Sequence, residues 1–274
     1  MALDIVTAYQ GMNHVTADQM ADFQRGLLGD SCILPVGNKM KVNIQTANQI
    51  TVADGVAVYD GREIHIPYGS SENVAITSGT QGMMRNDIVC LQYNRDESSG
   101  VESVEFVTIA GTPAASDPKD PSYSNLDIRT GVFMSQKPFC RVRLNGTAIE
   151  GIDMLVDVYD TGWIQMQLSS NFKNYSQDST QEYRRIGKTV YLRGVMSPAS
   201  KIYGGTDDTL ISKLPTSLRP NKRFYFVCQG STKNTWLLTI REDGTVNYSR
   251  YGATSFVEAD TNTWLTFSCN YSID

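Results

Sequence analysis

Two hydrophobic periods divide this chain. Near the N-terminus, Met20, Phe23 and Leu27 recur at helical spacing; Thr16 stands where an N-cap belongs, Gln19 where a capping box needs it, and Gly29 follows as a stop. The spacing predicts a helix over 17–28. Its apolar stripe is one-sided, so the helix should lie on the surface of something larger.

From Cys32 onward the period is two. Segment 39–45 places Met40, Val42 and Ile44 on one face, and 56–59 and 62–66 are joined by Asp60-Gly61, a strong two-residue hairpin signal. Asp54-Gly55 predicts another tight reversal just before it. Segments 87–93 and 101–109 flank a polar loop over 94–100, and 139–144 ends at Asn145-Gly146. The stretch 111–124 carries Pro113, Pro118 and Pro121, cannot donate a regular ladder, and reads as a long loop available to wrap a neighbouring subunit.

The second half continues the pattern, with strands predicted over 164–168, 182–186, 189–195, 224–228, 236–241, 245–251 and 264–271. Gly187-Lys188 separates two alternating runs, and glycine in the first central position suits a type II′ turn. Asp243-Gly244 marks a second hairpin. Phe224-Tyr225-Phe226-Val227-Cys228 is apolar on both faces and so should be covered on both sides, as an inner strand or against a neighbouring chain. Gly151 and Gly162 bracket an apolar run interrupted by acids, which places a junction over 151–161 between a domain over 1–150 and another over 162–274.

Composition narrows the class. Lys plus Arg number 24 against 29 Asp plus Glu, a net charge of −5 without long runs, so nucleic acid has no electrostatic footprint here. Five dispersed cysteines, such as Cys90 between apolar strand residues, read as small buried hydrophobes in a chain made in a reducing cytoplasm. No apolar run approaches the ~18–20 residues of a membrane span, and the N-terminus lacks the pattern of a signal peptide, so neither membrane insertion nor export as a precursor is expected.

Candidate chemistry is sparse. His14 precedes the helix and His65 alternates with Ile64 and Ile66 as a solvent-facing strand residue, with no Gly-x-Ser-x-Gly elbow to accompany them. The acid pairs Asp207-Asp208, Glu242-Asp243 and Glu258-Asp260 suit turns and loops better than catalysis. Asp117, Asp120 and Asp127, or Asp207 and Asp208, could offer oxygens to calcium but lack EF-hand spacing. No cofactor is called for. What stands out is an aromatic and polar inventory, in which flat rings can stack on pyranose C–H faces while Arg, Asp and Asn serve hydroxyl groups. From it Trp236, Tyr248, Tyr251, Arg250, Asp207 and Asp208 are the expected saccharide-binding residues, with Tyr203, Arg241 and Asn247 nearby; Trp163 and Trp264 are expected in the core.

Gly162-Trp163-Ile164, the Tyr183-Arg184-Arg185-Ile186-Gly187 hairpin, Leu214-Pro215 through Arg219-Pro220, and the closing Trp264-Leu265-Thr266-Phe267 together resemble the C-terminal tip module of bacteriophage tail-fibre and receptor-binding proteins. The N-terminal Val15-Thr16-Ala17-Asp18 helix, the Gly37-Asn38-Lys39-Met40-Lys41-Val42 segment and the Asp-Gly hairpin are similar to the shoulder domain by which siphophage receptor-binding proteins attach to the baseplate. The resemblance implies an all-β fold with one N-terminal helix: a β-sandwich shoulder and a C-terminal antiparallel β-sandwich or barrel head, assembled as a homotrimer at the virion tail tip. It implies attachment to a baseplate or distal tail protein through the shoulder and adhesion to host cell-wall saccharide through the head, without chemistry. Three alternatives stay open on sequence: a structural baseplate or fibre component with no ligand of its own, a small cell-wall glycan hydrolase, and a tail-like bacteriocin fibre in place of a phage one.

Overall fold

Thr16 caps α1 (Ala17–Leu28) as the sequence predicts: its hydroxyl accepts from the Gln19 amide at 3.2 Å, and the Gln19 side chain accepts from the Thr16 amide at 2.9 Å. The orientation of the helix is the reverse of what its stripe suggests. Only Ala21 is buried, while Phe23 and Leu27 are 64% and 61% exposed. Two contacts fix this. A Cβ on Gly61 would lie 1.9 Å from the Ala21 carbonyl oxygen, so the helix backbone rides directly on the hairpin turn. Arg62 then clamps the first turn through the Ala17 carbonyl at 2.8 Å and Asp18 at 2.6 Å. Backbone approach and charge, rather than apolar burial, seat the helix.

The structure is a computed structural model describing residues 15–205 and 208–273. It divides into two units, Met1–Tyr159 and Asp160–Asp274. After α1 the first unit carries β1 (Ser31–Ile33), β2 (Val42–Thr46), β3 (Gln49–Tyr59), β4 (Arg62–Ala75), β5 (Met84–Arg95), β6 (Glu102–Ile109), β7 (Met134–Asn145) and β8 (Ala148–Met154). Strands β1, β2 and β4 all pair with β3 to form one sheet, and β6-β5-β7-β8 form the other. Ile50, Val52, Val89, Leu91, Phe139 and Val142 fill the space between them.

Turn chemistry explains most of this register. Asp60 and Gly61 take φ of 48° and 81°, as a type I′ hairpin demands, and pair Tyr59 with Arg62. Asp54-Gly55 does not reverse the chain as expected. It continues β3 through an irregularity whose extra residues lie in β4, since Ala53 faces Ser71 and Gly55 faces Ile66; Gly55 lets the Met40 amide within 2.6 Å of where a Cβ would sit, and Asn38 ties the buried Asp54 carboxylate. Lys39 and Met40, expected in a strand, are left-handed turn residues before β2. The proline-rich stretch is indeed irregular, but it is laid along its own sheet: Asn86 donates to the Pro118 carbonyl at 2.9 Å, and Asp120 pairs with Arg141.

Residues expected in the junction belong to the first unit almost to their end. Arg143 pairs with Gly151 and Cys140 with Met154, and the Tyr159 amide donates to the Ile33 carbonyl at 2.8 Å.

The second unit contains β9 (Ile164–Gln165), β10 (Phe172–Asn174), β11 (Gln181–Ile186), β12 (Thr189–Pro198), β13 (Ile202–Tyr203), β14 (Thr209–Lys213), β15 (Phe224–Gln229), β16 (Thr235–Ile240), β17 (Thr245–Gly252), β18 (Glu258–Ala259) and β19 (Leu265–Ser272). One sheet runs β9-β11-β12 with β10 and β19 also on β12; the other runs β14-β17-β16-β15; β13 and β18 form a separate ribbon. Gly187, at φ 56°, turns β11 into β12 with Ile186 opposite Thr189. Val190, Leu192, Met196 and Phe267 face Trp236, Leu238, Ile240 and Tyr248 across the core. The protein is all-β apart from α1 and two short 3-10 turns among the described residues. Of the two expectations for β15, an inner strand is not what the fold shows: β15 is an edge of its sheet. Its inward residues pack, but outward Tyr225 and Val227 are 58% and 77% exposed.

Candidate functional site

Three expected saccharide-binding rings are core residues. Trp236, Tyr248 and Tyr251 are 1%, 0% and 2% exposed, so no ring face is available for stacking. Trp236 donates its indole N–H to the Gln229 carbonyl at 3.1 Å and packs on Tyr248 at 5.7 Å and on Phe267 at 6.3 Å. Tyr248 also meets Phe172 at 5.7 Å. Burial follows from the size of the unit: a small sandwich needs its largest rings for its own core. The other expected residues fall differently. Asp208 is spent on an ion pair with Arg241, Arg250 is exposed, and Asp207 lies outside the described residues.

Arg250 marks a surface that sequence reasoning reached only in part. It sits in a bulge of β17, where Thr235 pairs with Gly252 and Leu237 with Ser249, leaving two residues opposite one. Its φ is 56°, a conformation a non-glycine residue rarely adopts. The result is an outward guanidinium among the strand's buried neighbours.

Gly204 knits this bulge to the β13–β18 ribbon. Its amide donates to the Val257 carbonyl at 2.8 Å, its carbonyl accepts from the Tyr251 amide at 3.1 Å, and the Val257 amide donates to the Tyr251 carbonyl at 3.0 Å. A side chain at Gly204 would strike the Tyr251 carbonyl at 2.1 Å, so glycine is required there. Next door, a Cβ on Gly205 would lie 2.7 Å from Tyr203 Cε1 and 3.1 Å from Phe256 Cδ2. Gly205 is thus a bare floor between two rings, and those rings are 56% and 50% exposed. Lys201 and Glu258 pair at 3.2 Å beside the ribbon. Two half-exposed aromatic residues are thus held by a hydrogen-bonded backbone with polar groups at the margin, an arrangement that offers apolar ring surface to a ligand.

Other candidate chemistry resolves into structure. Asp243 accepts from the Thr245 amide at 3.0 Å and its hydroxyl at 2.7 Å, and Asp260 accepts from the Asn262 amide at 2.9 Å and the Thr263 hydroxyl at 3.0 Å; these bonds hold both carboxyls below the usual carboxylate range. Both acids are turn caps. Desolvation pushes the Cys90 and Cys140 thiols up to about 12 and Cys228 up to about 11, the opposite of what a nucleophile needs. Asp127 caps a 3-10 turn and holds Arg129 at 2.6 Å. Among the described residues no three His, Cys, Asp or Glu side chains gather as a metal site. His65 is an exposed strand residue, and His14 lies outside the described residues.

Trp163, expected in the core, is only half-buried, and the Arg193 guanidinium stacks over its ring at 3.8 Å. Trp264, likewise expected in the core, is also half-buried.

No protein-family model matches the chain, and no curated protein does. Among solved structures, it is similar to the head domain of phage bIL170, described with the receptor-binding domains of lactococcal phages. The identity is 14% and the TM-score 0.32, over 41% of this chain and 98% of that one.

Proposed function

We propose that this chain is a receptor-binding protein of a bacteriophage tail tip, which adheres to host cell-surface saccharide through the second unit and joins the baseplate or distal tail through the first. The observation that carries this reading is the pair Tyr203 and Phe256, half-exposed on either side of Gly205 on a ribbon tied down by Gly204. Large apolar rings left in solvent on a well-anchored tip cost solubility and add nothing to the core, so a ligand is their natural use. Arg250, set outward by its bulge, supplies a donor fork for hydroxyl or acidic groups. The sequence resemblance over most of residues 162–274 points the same way.

The mechanism is binding without bond cleavage. A single small sugar site at millimolar affinity is worth only about 4 kcal/mol, but linking sites in a trimer, and many trimers on one tail, can raise avidity by about 10²–10⁴. Homotrimerisation is part of the proposal, with the uncovered Tyr225 and Val227 as apolar surface for a neighbouring copy.

The test is adsorption of the full chain to host cells, and to glycan arrays, with Tyr203→Ala and Phe256→Ala. Both side chains are exposed, so folding should survive while binding falls at least tenfold. Undiminished binding by the double variant would overturn the site. Release of reducing ends from wall polysaccharide would overturn the binding-only reading.

A further inference from the structure

The first unit has an open seam. Among the described residues, strand β4 is an edge of one sheet, bonded only to β3, and β6 is an edge of the other, bonded only to β5. Beside these edges lie two neighbouring cavities of about 220 Å³ and 330 Å³ that share Ile64, Leu91 and Val104 in their walls. Phe106 and Ile66 extend the apolar floor at one end, and Tyr93 at the other. Val104 is 43% exposed and Val101, at the entrance to β6, is 64% exposed. The two edges are bridged at each end, by the Thr108 hydroxyl donating to the Ala75 carbonyl at 2.8 Å and, beside the hairpin, by Arg62 pairing with Glu102 at 2.8 Å, so the middle stretch is the accessible part.

Charge on the rim is uneven. Arg62 is taken up by Asp18 and Glu102, and Lys137 by Asp60 at 2.6 Å. Glu63 and Glu72 carry no ion pair among the described residues, and Glu105 meets only the neutral Asn94 side chain. The rim therefore presents carboxylates without an ion partner among the described residues, beside an apolar floor and the outer edges of β4 and β6.

We infer that this seam receives an extended polypeptide strand from another protein, with apolar side chains at alternate positions entering the groove and basic side chains meeting Glu63, Glu72 and Glu105. An unpaired edge supplies main-chain bonds, alternate pockets supply specificity, and the acidic rim supplies charge complementarity. A compact ligand does not fit as well: the two cavities lie along strand edges, where an added strand can take up main-chain bonds. The inference deepens the reading of the first unit as the attachment end, and takes from it only that the strand belongs to a tail protein.

The experiment uses the full chain and a short capped peptide alternating valine and lysine, with a block-sequence peptide of the same composition as control. Hydrogen exchange should show new protection at amides of 62–66 or 103–106 with the alternating peptide alone. Affinity should fall at least tenfold in Val104→Trp, which fills the shared wall, and in Glu72→Lys, an exposed substitution that leaves the fold alone. Equal binding of both peptides, no protection at either edge, or full affinity in both variants would overturn the inference. So would concentration-dependent self-association abolished by Val104→Trp, which would make a second copy the occupant. Cell adsorption through Tyr203 is a separate readout in the other unit, so either proposal can fail without the other.

Discussion

Arg250 and Tyr251 are neighbours in β17 that have exchanged faces. Val246 and Tyr248 point into the core, so strict alternation would bury Arg250 and expose Tyr251; the bulge opposite Trp236 reverses them, leaving Tyr251 2% exposed and Arg250 in solvent. Tyr251 then takes a hydrogen bond from Asn234 at 3.2 Å, and the left-handed backbone at Arg250 absorbs the extra residue.

That strain gives a way to separate function from stability. Arg250→Gly removes a left-handed penalty of about 1–2 kcal/mol, partly offset by the greater freedom of glycine in the unfolded chain, so thermal stability should be unchanged or rise by up to about 1 kcal/mol. Saccharide binding should nevertheless fall. Calorimetry and cell adsorption on the same preparation check both; a fall in stability would mean that the Arg250 side chain holds the fold.

Trp236→Ala should act on folding. Deleting a fully buried tryptophan costs about 3–5 kcal/mol, a large share of the stability of a small domain. Loss of adsorption in that variant would therefore report unfolding of the second unit. Near-ultraviolet circular dichroism and proteolysis should show it, with the first unit intact.

Gly61→Val should release α1. Its Cβ would meet the Ala21 carbonyl, and φ of 81° is strained for a β-branched residue. Amides of 17–28 should lose protection in hydrogen exchange by tenfold or more, while β5 and β7 keep theirs.

Alkaline pH should weaken the first unit. Cys90 and Cys140 are buried as neutral thiols with pKa raised to about 12, whereas an unfolded thiol ionises near ~8.5. The folded pKa lies above the unfolded one, so this contribution is complete below ~8.5 and is lost as pH rises from there toward about 12. Urea midpoints measured from pH 8 to 10.5 should fall, and Cys90→Ala with Cys140→Ala should flatten the slope.

Local chemistry was legible in the chain. Thr16, Gln19 and Gly29 define α1 because capping involves only neighbours, and Asp60-Gly61, Gly187 and Gly244 fix hairpins because left-handed backbone is a property of the residue itself. Alternation likewise announced strands throughout, and with them an all-β protein. Alternation names two faces but not which one is covered, and that limit cost the rings of Trp236, Tyr248 and Tyr251 their expected role. Only the tertiary structure could place the bulge that sets Arg250 outward, turn the apolar stripe of α1 to solvent, and bring Tyr203 and Phe256 to either side of Gly205. Each of these depends on contacts between segments far apart in sequence, where close packing and backbone pairing, not local preference, choose the conformation.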